Sequence, residues 1–409
     1  MLEETLQSSP LWQRFEEHKE RCHKSQDILF NSLLISKSEI TEDLLKLFSQ
    51  KEIFELFNLL KDLVSGTAWV SNSALTFLTT LIGISKKISG NAEDVVAQMI
   101  AAEFLRPGNL PTNFMLKYSS EDLFKSLFNE VEFNHSRQKN SSLITPPKTK
   151  ATIVLISGVL NEIYKQAAFE RGVSYLQEKT GQKYIVAKVH GLKNCEINGQ
   201  QIEEQLKAYI KSHPDEKLWI LAYSKGGLDT LHFLKNNNRF AKKHILGLTT
   251  VASPLMGANQ IDDHKFIRMV TSLETKYDSL FKNKKTDSII REILGQEIRR
   301  SLAATKQERW FKNNHEKLPD NIFYSSLALD SGFFESHIGM MVTKLLLSSP
   351  NNNDGVVDVH RAHFPDHFKS IKLGTIRGHH LIGARSTSFR QEALIESMIV
   401  FHKKLGLIS

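Results

Sequence analysis

From residue 151 onward, short unbroken apolar runs alternate with helical stretches, and this alternation narrows the fold more than any other feature of the chain. ATIVLISG (151–158) is a continuous apolar run closed by glycine, the pattern of a strand buried on both faces of a parallel sheet. KYIVAKVHG (183–191), KLWILAYS (217–224), HILGLTTVAS (244–253), NIFYSSLAL (321–329) and FKSIKLGTI (368–376) continue the series, with helical stretches such as 200–212 between them. Parallel strands joined through helices need right-handed crossovers. The spacing therefore predicts an α/β fold with a doubly wound, mostly parallel sheet over residues 151–409.

The first third of the chain follows a different period. In SEITEDLLKLFSQKEIFELFNLLKDLVSG, Leu44, Leu45, Phe48, Phe54, Phe57, Leu60 and Leu63 recur at three- and four-residue spacing, and Gly66 sits where a helix would stop. NAEDVVAQMIAAEFLRPG and SSEDLFKSLFNEV predict further helices, so residues 1–133 read as an all-helical domain. Residues 134–150, polar and carrying Pro146 and Pro147, read as a linker. Within the α/β region, a charged stretch of helical pattern at about 257–320 interrupts the strands; it is expected to emerge above the carboxyl ends of the strands as a helical lid.

Composition narrows the class of partner. With 41% hydrophobic and 24% charged residues the profile is that of a soluble globular protein. The formal charge is +8, but acidic and basic residues interleave along the chain, which argues against a nucleic-acid partner. Cys22 and Cys195 stand far apart, so no disulfide framework is expected. The acidic N-terminus lacks the features of a secretory signal, and Ser73–Ser85, the most apolar stretch, falls short of the ~20 residues that span a bilayer. These features predict a cytoplasmic location.

The chemistry concentrates at Ala222-Tyr223-Ser224-Lys225-Gly226-Gly227, which follows an apolar strand and precedes a helix. A serine at such a junction occupies a sharp turn that lifts its hydroxyl above the sheet, and small residues two before and two after it let strand and helix approach. Ala222 and Gly226 are those residues, alanine replacing the more usual glycine. Such a serine needs a base, and the base an orienting acid, which follow it in the order acid then histidine. Asp354, in the polar loop NNNDG, and His379 and His380, after the last strand, are the candidates; adjacent histidines point different ways, so one at most faces the serine.

Residues 150–409 resemble the lipase branch of the α/β-hydrolase family through AYSKGG, TTVASPLMGA, the loop NNNDGVV and the late HHL. The resemblance implies Asp354 as the acid and His380, which directly precedes Leu381, as the base. Asp330, at the end of a strand, is the rival acid and His379 the rival base; Asp358 reads as solvent-facing and His190 as a loop histidine. The oxyanion needs backbone N–H donors, assigned to Lys225 at the helix start and Val159 in the turn after the first strand, where Ser157 stands in place of the histidine common in lipases. Gly158 is consistent with plain turn chemistry. The Lys225 side chain reads either as a solvated lysine at the pocket mouth or as an attractor for an anionic acyl substrate.

No metal or cofactor motif accompanies these residues; the His/Asp-rich RAHFPDHFK reads as polar surface. The expected activity is hydrolysis of carboxylic esters of lipid-like substrates through an acyl-enzyme. Acyl transfer, intracellular polyester depolymerisation and a non-catalytic interaction protein on the same scaffold are the alternatives. Residues 1–133 are expected to dock the protein on a membrane, a polymer granule or a protein partner.

Overall fold

The computed structural model describes residues 119–137, 147–159, 167–191, 193–258, 301–332, 344, 352–382 and 389–409. The predicted helices before residue 119 and most of the expected lid, 259–300, lie outside the described residues.

Among the described residues six strands form one sheet, in the order β2-β1-β3-β4-β5-β6, every neighbouring pair parallel. They are β1 (Thr152–Ile156), β2 (Tyr184–Val186), β3 (Leu218–Tyr223), β4 (Ile245–Val251), β5 (Phe323–Asp330) and β6 (Ile371–Arg377). Strand alternation feeds two cores. On β1, Ile153 and Leu155 face one side while Val154 and Ile156 face the other, and all four are buried. The first side is covered by α1 (Ser120–Arg137), α2 (Glu170–Thr180) and α7 (Gln391–Lys404). The second is covered by α3 (Cys195–Ser212), α4 (Lys225–Asn236), α5 (Asn238–His244) and α6 (Ala304–Asn314). A parallel sheet buried on both faces explains why the central strands β1 and β3 are nearly unbroken apolar runs.

Three sequence expectations are corrected. KYIVAKVHG forms only the short edge strand Tyr184–Val186; beyond it Lys188 pairs with the Gln205 side chain instead of a neighbouring strand. The helix expected to close the N-terminal region before residue 134 runs on to Arg137, so the first residues of the expected linker are helical. That helix also belongs to the α/β core. Ser119 accepts from the Asp122 amide at its start, and the stripe Leu123, Phe124, Leu127, Phe128 and Val131 is buried against β6 and α7. Phe124 meets Phe401 edge to face at 5.5 Å, and the Ser120 hydroxyl donates to the Lys372 carbonyl of β6.

The far end of the expected lid is likewise a layer of the core. α6 buries Phe311 among Phe364 and Phe368, and its Trp310 stacks on His232 of α4 at 4.5 Å. Ala258 and Ala303 pair as an isolated bridge, which joins the two described ends of the insertion to each other.

The chain leaves β1 toward β2 on one side and crosses back to β3 on the other. The order therefore reverses between β1 and β3, and the carboxyl ends of these two strands form the crevice in which open α/β sheets bind ligands.

Candidate active site

Ser224 stands at that crevice, between β3 and α4, with φ 54° and ψ −133°. This is backbone that a non-glycine residue adopts at a cost of about 1–3 kcal/mol, and it is retained only where the surroundings enforce it. Three contacts enforce it. The Ser224 amide donates to the Val251 carbonyl at the end of β4, and its carbonyl accepts from the Gly227 amide in the first turn of α4. A Cβ on Gly226 would lie 2.6 Å from the carbonyl oxygens of Ile156 and Ser157, so only glycine lets α4 pass this close to β1. Ala222 is fully buried beneath the turn. The small residues two before and two after the serine thus answer a packing demand.

The structure brings Ser224, His380 and Asp354 into one hydrogen-bonded chain. His380 Nδ1 lies 2.7 Å from Asp354 Oδ2, and its Nε2 lies 2.8 Å from Ser224 Oγ. A carboxylate only accepts, so Nδ1 carries the proton and Nε2 is left to receive the serine's. Asp354 is 1% exposed, and its other oxygen accepts from the amides of Val356 at 2.9 Å and Val357 at 2.8 Å. The His380 amide donates to the Asp354 carbonyl, so acid and base are joined through backbone as well as side chain. The Tyr223 ring lies against the imidazole, with centroids 5.2 Å apart, and Phe169 meets Tyr223 edge to face.

The rival residues are held elsewhere. Asp330 Oδ1 accepts from the Asn353 amide, and His379 Nδ1 accepts from the Leu381 amide. Asp358 is half-buried, and its carbonyl accepts from the Arg361 and Ala362 amides. His190 is exposed and hydrogen-bonds through its backbone to Asn198 and Gln201.

Of the two residues expected to hold an oxyanion, Lys225 presents its amide at the N-terminus of α4, where the helix dipole favours negative charge. Val159 is half-buried in the turn after β1. Between them Gly158 does more than turn the chain. A Cβ there would lie 2.6 Å from Ser224 Cβ, 2.9 Å from Ser224 Oγ and 3.0 Å from the Lys225 nitrogen. Glycine therefore keeps open the space between the hydroxyl and the amide, where the oxygen of an attacked carbonyl would sit. Ser157 is buried, and its hydroxyl accepts from the Ala168 amide, tying the loop after β1 to the start of α2.

The Lys225 side chain corrects both of its sequence readings. It is wholly buried, with Nζ 2.7 Å from Asp229 Oδ1, one helical turn along α4. Asn198 of α3 donates to the other Asp229 oxygen at 2.8 Å. Burial pushes the Asp229 carboxyl above its usual range and Lys225 opposes that shift; burial and the same carboxylate push the Cys195 thiol well up. The lysine is thus spent on an internal pair and faces no substrate. Its i, i+4 spacing from Asp229 was the available signal.

Among the described residues no group of His, Cys, Asp and Glu is arranged to hold a metal ion, and no helix is long and apolar enough to cross a membrane. In the His/Asp-rich stretch, His363 is buried, bonded to the Ser326 hydroxyl and lowered to about 4 by burial, so it is not surface.

This architecture, with Ser224 on a strained turn at the strand-order reversal, is the α/β-hydrolase fold. The chain superimposes on the crystal structure of a metagenomic carboxyl esterase with a TM-score of 0.54 at 16% identity, covering 74% of this chain and 97% of that one. It also aligns with the mature form of a Bacillus licheniformis lipase (TM-score 0.42, 19% identity, 59% of this chain and 89% of that one). For a lipase of Pelosinus fermentans the TM-score is 0.42 at 12% identity, over 61% and 98%. No protein-family model and no curated protein sequence matches the chain.

Proposed function

We propose that the protein is a carboxylic ester hydrolase that works through an acyl-enzyme on Ser224, with lipid-like esters as its substrates. The observation that carries this reading is the continuous hydrogen-bonded chain from Ser224 through His380 to Asp354 on a strained turn. His380 Nε2 takes the hydroxyl proton as Ser224 Oγ attacks the ester carbonyl, and Asp354 stabilises the imidazolium that results. The carbonyl's electron pair moves onto its oxygen, which the amides of Lys225 and Val159 receive. Collapse expels the alcohol, protonated by His380, and leaves the acyl group on Ser224. Water, deprotonated by the same imidazole, then releases the acid and restores the serine.

The long charged insertion and the aromatic side chain of Tyr223 beside the imidazole support a bulky apolar acyl group. Docking of residues 1–133 on a membrane or granule belongs to the same reading; of these, residues 1–118 lie outside those described. A fluorophosphonate probe applied to wild type, Ser224→Ala and His380→Ala tests the chemistry. Labelling of wild type alone is expected, followed by a preference for longer chains among p-nitrophenyl esters. Labelling that persists in Ser224→Ala would falsify the assignment of the nucleophile.

A further inference from the structure

Lys344 takes no part in the steps above, yet it is fully buried beside them. An ammonium out of water is costly unless its protons are accepted. Lys344 Nζ donates to the Ser331 carbonyl at 2.7 Å, the Asn353 carbonyl at 2.8 Å and Asn353 Oδ1 at 2.8 Å, one acceptor for each of its three protons. Ser331 directly follows β5, and Asn353 directly precedes Asp354. The lysine therefore joins the end of the sheet to the loop that carries the acid.

That loop depends on its surroundings. Asn352 and Gly355 have φ of 60° and 98°, so the backbone turns through the left-handed region on both sides of Asn353-Asp354. Within the turn, Asp354 Oδ1 is fixed by Val356 and Val357, and Asn353 Oδ1 accepts from the Gly355 amide. These bonds shape the turn, and the His380 amide on the Asp354 carbonyl ties it to the base loop. Its place is set at the end of β5. Asp330 Oδ1 and the Ser331 amide hold Asn353, and the Asp330 carbonyl accepts from Gly378, just before the histidines. Acid loop and base loop hang from the same strand end, and the Lys344 ammonium bonds across that joint.

Resting on the reading of Ser224, His380 and Asp354 as a reacting triad, we propose that Lys344 is a positioning residue that acts through Asp354. By clamping Asn353 to Ser331 it delivers the Asp354 carboxylate to His380 Nδ1. Without it, the Ser331 carbonyl and both Asn353 oxygens lose a charged donor, and the loop shifts or admits water in its place.

The test compares Lys344→Met, Lys344→Arg, Asp354→Asn and the Lys344→Met/Asp354→Asn pair, with p-nitrophenyl butyrate as substrate and rates expressed per folded molecule. A misplacement of about an ångström costs about 100-fold in kcat, so Lys344→Met is expected to lose about that much while KM stays within about threefold. Lys344→Arg, which keeps the charge and the donors, is expected to recover part of the loss. In the Asp354→Asn background the same Met substitution is expected to cost less than about threefold, because the path through the acid is already broken. Should Lys344→Met fail to fold, Lys344→Gln, whose amide keeps two donors, carries the same comparison. A kcat for folded Lys344→Met within about threefold of wild type overturns the proposal, and so does a loss that persists in full beside Asp354→Asn. A wild type that neither turns over ester nor reacts with the fluorophosphonate overturns the triad and this inference together. An active wild type with an indifferent Lys344→Met overturns this inference alone.

Discussion

The turn that carries Ser224 and the loop that carries Asp354 solve the same problem by different means. Each holds a non-glycine residue in left-handed backbone, Ser224 in one and Asn352 in the other, and each has a buried lysine beside it. Lys225 finds its partner Asp229 four residues on in the same helix. Lys344 donates to oxygens on two other segments, nine and thirteen positions away. A buried lysine paired within its own helix tolerates change in the neighbouring segments. A loop supported from several separate segments does not, and its failure shows in activity before it shows in stability.

The sharpest way to break that comparison is to exchange the two aspartates that flank Lys344's site. Asp354→Asn is expected to lower kcat by about 10⁴-fold, since an amide at that position favours the wrong histidine tautomer. Asp330→Asn, which keeps an acceptor for the Asn353 amide, is expected to leave kcat within about tenfold, judged by ester turnover. Equal losses would return Asp330 to candidacy as the acid.

The internal support of the serine turn is tested by Lys225→Met. Leaving Asp229 buried without its cation is expected to cost about 3–5 kcal/mol of unfolding free energy by urea titration. Lys225→Met combined with Asp229→Leu is expected to regain most of that, and a double variant no better than the single would mean the pair is not the source.

Gly158→Ala probes the space between the hydroxyl and the Lys225 amide. A methyl 2.9 Å from Ser224 Oγ occupies the oxyanion position, and a loss of about 10²–10³-fold in kcat is expected with the fold retained by circular dichroism. Retained activity would move the oxyanion site elsewhere.

The smallest effect concerns the layer that ties the two regions together. Trp219 of β3 donates to Thr249 of β4, whose hydroxyl meets Ser325 of β5, which in turn lies 3.1 Å from His402 Nε2 on α7. Burial lowers His402 to about 3, so it stays neutral in the fold while the unfolded chain takes up a proton near the ordinary value of about 6.5. The unfolded state binds the extra proton, so this stability is present above about pH 6.5 and is lost as pH falls toward 3. The loss at pH 5 is about 2 kcal/mol on this basis. His402→Gln, which removes the titration, is expected to flatten the fall of the urea midpoint between pH 7 and pH 5; an unchanged slope would place the acid sensitivity on other groups.

Much of the fold and part of the site were legible from residue order. Double-sided burial favours unbroken apolar strands, and β1 and β3 carry them, while β4 and β5 admit small buried hydroxyls; of the two edge strands, β6 runs seven residues and β2 only three of the run that announced it. The serine turn was legible because Ala222, Ser224 and Gly226 meet a steric demand within a few residues of one another. The burial of α1 and α6 was not, since an amphipathic stripe announces that a face is covered and not what covers it.

By itself, then, the sequence determined the alternation of strand and helix, the turn at Ser224, and the order in which an acid and a histidine follow. Tertiary structure decided between Asp354 and Asp330 and between His380 and His379 as the residues brought to the serine. It also decided the fate of Lys225 and the place of Lys344, a lone cation in the run MMVTKLLL. The division has one physical cause. Backbone strain and close packing at a turn act between neighbours in the chain and so select contiguous residues. A hydrogen bond between residues 26 or 156 positions apart, as His380 makes to Asp354 and Ser224, exists only once the sheet has brought its strand ends together.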